Sequence, residues 1–116
     1  MINSVTLVGR LVKDAEAKEL ESGKKVCNIT LAVPRNYKNA SGEYETDFVD
    51  CTLWSGVAES TSTYARKGDM VGVKGRLQTE YRDMDGMKVK ELKVVAEKVS
   101  FLSRGSVDKN KDDVER

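Results

Sequence analysis

Tyr37, Phe48, Trp54 and Tyr81 are the side chains of this 116-residue sequence whose type and placement best suit a chemistry, and that chemistry is stacking against flat aromatic partners. In the segment Phe48-Val49-Asp50-Cys51-Thr52-Leu53-Trp54, strand alternation sends Val49, Cys51 and Leu53 to one face. Phe48 and Trp54 then share the other face with Asp50 and Thr52. The chain has 4 Tyr, 2 Phe and 1 Trp, so placing its single tryptophan on the polar side of a strand is odd for a core. It is natural for a surface that stacks nucleobases. On the residues alone, filling an interface between subunits explains Phe48 and Trp54 almost as well.

Cations interleave with these aromatics. Arg35 and Lys38 flank Tyr37, Lys74 and Arg76 share one face of a later strand, and Arg82 follows Tyr81. Arg10, on the first strand, completes the basic set. A groove that holds bases and phosphates together requires such a mixture. Bulk charge does not supply it, because the formal net charge is +1. Tyr64 falls on the apolar face of a helical segment and reads as core.

Other chemistries lack their parts. There is no histidine, which removes every Ser-His or Cys-His nucleophile pair and the commonest general base. Cys27 and Cys51 stand alone in separate strand-like runs, read as small buried apolar side chains, and make no zinc framework. No cofactor or metal is expected, and no enzymatic activity. A metal-dependent nuclease using Asp47, Asp50 and Asp83 is the remaining catalytic alternative, but these acids form no ligand motif. No apolar run approaches the ~20 residues of a membrane span, and the N-terminus lacks a signal peptide's pattern, so the expected address is the cytoplasm.

The elements that must position the aromatics follow from periodicity. Val5–Leu11, Val26–Val33, Glu45–Trp54, Met70–Gln78 and Lys88–Phe101 alternate as strands. The charged stretch 13–25, with Ser22-Gly23, reads as a polar hairpin or loop, and Pro34 should stop regular pairing of the second strand. Val57–Lys67 has a helical period with Gly68 as terminator, and Asp85-Gly86 signals a hairpin turn. Three strands, one short helix and two strands make an all-β protein with the element order of a five-stranded OB-fold barrel, Gly9, Gly72 and Gly75 serving its bends. Alternation by itself also permits a small β-sandwich.

Several stretches resemble the bacterial single-stranded DNA-binding protein family. They are Asn3–Leu11, Asn28–Val33, Thr52-Leu53-Trp54 with Ala58-Glu59, Tyr64–Gly68 and Val73–Thr79, in the right order over about residues 1–103. The resemblance implies an OB-fold, a homotetramer, and sequence-independent binding and protection of single-stranded DNA during replication, recombination or repair. It aligns Tyr37, Phe48 and Trp54 with the family's stacking positions. Tyr81 becomes the counterpart of a fourth, in a loop one residue shorter than the family's. The alternative on the same fold is a primosome-like adaptor acting through protein partners. Residues 104–116 are expected to be a disordered charged tail. It ends Asp112-Asp113-Val114-Glu115-Arg116, without the family's acidic, phenylalanine-ended tip, so recruitment of replication and repair partners is not expected.

Overall fold

A computed structural model describes residues 1–105. The strands are β1 (Val5–Leu11), β2 (Ala17–Glu19), β3 (Lys25–Lys38), β4 (Tyr44–Trp54), β5 (Met70–Met84) and β6 (Met87–Ser103), with helix α1 (Ser55–Tyr64) between β4 and β5. Around the sheet the order is β1-β5-β6-β4-β3, and β3 returns to β1 through Arg10↔Ala32 and Leu11↔Leu31. The ring is therefore closed, which leaves the sandwich alternative without support. All pairings are antiparallel except β4 with β6, which run parallel from Cys51↔Val94 to Leu53↔Ala96. This is the five-stranded OB-fold barrel.

Closure works because alternation aims apolar side chains inward from β1, β3, β4 and β5, and β6 adds Val94 and Ala96. Leu11, Ile29, Leu31, Leu53, Val71 and Val73 are all at most 2% exposed, and each large aliphatic side chain so buried contributes about 1.5–3 kcal/mol. α1 plugs one end of the barrel with Ala58 and Thr61, followed by Ala65. Two glycines permit the close approach of neighbouring strands. A Cβ on Gly9 would lie 2.7 Å from the Ala32 carbonyl oxygen, and one on Gly75 would overlap the backbone of Val95. Gly72, expected to share that duty, has room for a methyl group, its nearest neighbour being 3.8 Å away.

Several boundaries differ from the sequence expectation. β3 runs past Pro34 to Lys38, with a bulge in which three residues of β3 oppose one of β4. Beyond Ala32, β3 has β4 on one side only, and an edge segment tolerates a proline's missing N–H. The polar stretch 13–25 holds a three-residue strand, β2, paired with Lys25–Cys27. β5 continues six residues beyond Gln78, so that β5 and β6 form a long hairpin closed by Asp85 and Gly86, both at positive φ.

The helix starts and stops earlier than its period suggested. Ala65 turns extended, and the chain is then held to the barrel's end by Leu11 N–H to Asp69 O and Gly68 N–H to Leu11 O. Asp69 is 1% exposed and its carboxylate accepts from the N–H groups of Arg66 and Gly105 and from Arg104 Nη1. Arg104 and Gly105, assigned to the tail from sequence, are thus held against the barrel. The rest of that tail, residues 106–116, lies outside the described residues.

Candidate nucleic-acid interface

The β3–β4 ladder determines which side chains share the outer wall. Its outward pairs run Val26↔Trp54, Asn28↔Thr52, Thr30↔Asp50 and Ala32↔Phe48. Trp54 and Phe48, six residues apart on β4, are therefore about 20 Å apart along the strand at ~3.3 Å per residue. They are 39% and 66% exposed, so flat aromatic surface reaches solvent at both ends of the row. Between them lies a floor of hydrogen-bonding groups. Thr30 Oγ1 donates to Asp50 Oδ1 at 2.6 Å and Thr52 Oγ1 donates to Asn28 Oδ1 at 3.1 Å.

The wall continues across β6 and β5, because Thr52 faces Val95 in the parallel ladder and Val95 faces Arg76. A groove of about 440 Å³ follows this surface, lined by Lys13, Asn28, Thr30, Asp50, Thr52, Arg82 and Lys93 among others. Its position, on the strand pair β3–β4 between the loop after β1 and the β5–β6 hairpin, is where OB-folds take up oligonucleotides. A larger depression beside α1 is lined by Asp14, Glu16, Lys25, Glu59 and Arg66 and contains no aromatic side chain. The Lys25–Glu59 ion pair at 2.9 Å crosses it, and that carboxylate holds the lysine's pKa above its ordinary value.

The expected contact residues are distributed unevenly over this surface. Tyr37 is 60% exposed in the bulged part of β3, and Lys38 lies 5.8 Å over the ring of Tyr44, its partner across the ladder. Arg35 turns to the face opposite Phe48. There it makes a two-point contact with Asp47 (3.1 and 2.9 Å) and a third bond to Glu45 at 2.9 Å. The pairing raises the arginine's pKa further and lowers that of Asp47. Arg35 is thus committed to two carboxylates.

Tyr81 and Arg82 are consecutive in β5 and point to opposite faces of the hairpin. Arg82 lines the groove and is paired with Glu91 at 2.9 Å. Tyr81, 66% exposed, shares the other face with Thr79, Lys90 and Leu92. Arg76 touches Glu97 at 3.5 Å and Gln78 at 3.2 Å. Lys74 is exposed near β1, opposite Thr6, and Arg10 donates to the Gly68 carbonyl at 3.0 Å.

Sequence reasoning missed Lys13 and Lys93 as parts of the groove, and it assigned no role to Asn28, Thr30 and Thr52. The signal for the last three was available, since each alternates onto the outer face of its strand. Asp47, Asp50 and Asp83 are not brought together. Among the described residues, no group of three or more His, Cys, Asp or Glu side chains could hold a metal ion.

Comparison with known proteins agrees with this geometry. Residues 2–102 match the single-strand binding protein family. The chain is 48% identical over 103 residues to single-stranded DNA-binding protein B of Bacillus subtilis, an overlap covering 88% of this chain and 91% of that one. It is 45% identical over 108 residues to single-stranded DNA-binding protein 3 of Streptococcus agalactiae, covering 91% of this chain and 78% of the relative. With the single-stranded DNA-binding protein of Enterococcus faecalis it shares 43% over 112 residues, which span 96% of this chain but 60% of the relative.

Proposed function

The chain belongs to the single-strand binding protein family, and from that premise we propose how its barrel performs the binding of single-stranded DNA. Bases seat on Trp54 and Phe48 at the two ends of the β4 row, and their edges lie over the polar floor between them. Tyr37 and Tyr81 extend the stacking surface onto the two hairpins. Every base has a π-face, so the surface accepts any sequence, at about 1–3 kcal/mol per stacked base. Duplex DNA is excluded because its base faces are already covered by neighbouring pairs. Phosphates follow the cations that make no ion pair with any described residue, Lys13 in the groove, Lys90 beside Tyr81 and Lys74 on β5. Stacking outweighs charge here: the groove sets Lys13, Arg82 and Lys93 against Asp50, Glu80 and Glu91.

The observation that carries this reading is the pair of exposed aromatics on one face of β4 with hydrogen-bonding groups between them. The biological setting that fits is protection of exposed strands in the cytoplasm during replication, recombination or repair, by a homotetramer. The open flank of β1, paired with β3 only at Arg10 and Leu11, offers an edge for self-association. Among the described residues, no helix is long and apolar enough to cross a membrane.

Titration of Trp54 fluorescence tests the proposal, since the chain has a single tryptophan. Oligothymidylate should quench it strongly and saturably, and duplex of equal length should not. Equal quenching by both would remove stacking from the mechanism. Light scattering of the free protein reads the assembly state separately.

A further inference from the structure

Asp50 puts a carboxylate in the middle of a face that must accept a polyanion. Of the three carboxylates lining the groove, Glu80 is paired with Lys93 at 2.8 Å and Glu91 with Arg82 at 2.9 Å. Asp50 makes no ion pair with any described residue. It is exposed, and its one short contact comes from a neutral group, the Thr30 hydroxyl, which donates to Oδ1 at 2.6 Å. Thr30 is its direct partner across the ladder, so this bond orients the carboxylate and leaves Oδ2 without a partner among the described residues. Along β4, Asp50 lies two residues from Phe48 and four from Trp54, about 7 and 13 Å at the strand rise. A base stacked on Phe48 therefore presents its edge within reach of this oxygen.

We propose that Asp50 reads the base seated beside Phe48, accepting a hydrogen bond from an exocyclic amine and favouring cytosine and the other amine-bearing bases over thymine. An ionised carboxylate is an acceptor only. Cytosine offers its N4 amine, adenine its N6 amine and guanine its N2 amine. Thymine has no exocyclic amine, and its one donor, the N3–H, sits between two carbonyl oxygens that the carboxylate repels. The same charge keeps phosphates off the floor, so that bases point inward and the backbone follows Lys13 at the edge of the groove. Stacking supplies affinity without regard to base, and the floor adds a bias at one position. This inference rests on base stacking at Phe48 and Trp54.

The test compares oligodeoxycytidylate with oligothymidylate of equal length, about eight nucleotides so as to address one barrel. The pH is mildly alkaline, where cytosine strands do not pair with themselves. Binding is read by anisotropy for the wild type, Asp50→Asn, Thr30→Val and Phe48→Ala, with melting temperatures in parallel. Asp50→Asn should lower the cytosine-to-thymine affinity ratio about fivefold, mainly by strengthening thymine binding. Thr30→Val, which keeps the charge but frees the carboxylate to rotate, should lower the ratio by less. An unchanged ratio would overturn base reading, whether both affinities rise by the same factor or neither moves. Phe48→Ala keeps the two failures apart. If it leaves both affinities unchanged, the stacking surface is wrong; if it weakens both while Asp50→Asn leaves the ratio alone, only the role of Asp50 is.

Discussion

Phe48→Ala separates binding from folding more cleanly than any other change on the β4 row. Phe48 is 66% exposed, so about a third of it is buried. A phenylalanine that buries about a third of its ~200 Å² removes some 70 Å² from water, worth about 1–2 kcal/mol as an upper bound. Trp54, at 39% exposed, buries about three-fifths of a larger side chain. The same reasoning gives roughly 2–4 kcal/mol for Trp54→Ala. The lost stacking is similar in the two variants, about 1–3 kcal/mol, or about 5- to 150-fold in affinity for a short oligothymidylate. The assay is fluorescence anisotropy of a dye-labelled oligomer, paired with thermal melting of the free protein. Both variants should bind weakly, and Trp54→Ala should melt at a clearly lower temperature. Phe48→Ala that melts lower yet binds as the wild type does would refute the reasoning, because the ring would then serve packing. Equal melting temperatures would show that the exposure difference between the two rings carries no energetic weight.

Three further outcomes follow from the packing and the charges. Gly75→Ala drives a methyl group into the Val95 backbone and should destabilise by about 3 kcal/mol in urea melts, while Gly72→Ala, with open space beside it, should stay within ~1 kcal/mol of the wild type. Burial raises the thiol pKa of Cys27 and pushes that of Cys51 up to about 11. Thiolate is thus scarce at neutral pH, and iodoacetamide should label both cysteines only after unfolding; labelling of the native protein would contradict their burial. Arg35→Gln should leave the slope of log affinity against log salt unchanged, since that guanidinium is already held by Asp47 and Glu45. Lys13→Gln, in the groove and without an ion pair to any described residue, should reduce the slope by about 0.7, and the reverse ranking would place the phosphates on the β3–β4 hairpin.

What the sequence determined by itself was local: strands, one helix, turns, and the face each side chain takes. A period of two residues is a property of the extended chain, so the sharing of one face by Phe48, Asp50, Thr52 and Trp54 was legible before any fold was known. The turn at Asp85-Gly86 was legible for the same reason, because positive φ is a local demand. The placement of Tyr81 and Arg82 on opposite faces also follows from alternation, but only once β5 is seen to reach Met84. That extension depends on six paired positions with β6, from Thr79↔Leu92 to Met84↔Met87. Tertiary structure alone decided the rest. Barrel closure rests on two β1–β3 pairs and a short parallel β4–β6 ladder, contacts between segments that no periodicity relates. It also decided which charges are already paired within the fold. Arg35 stands beside Tyr37 in the sequence, but the fold brings Asp47 and Glu45 to it, whereas Asp50 has only the Thr30 hydroxyl as partner among the described residues. The reason is physical: an ion pair forms or fails over a few ångströms between residues far apart in the chain, so the charge a side chain offers its ligand is set only by the register of the folded strands.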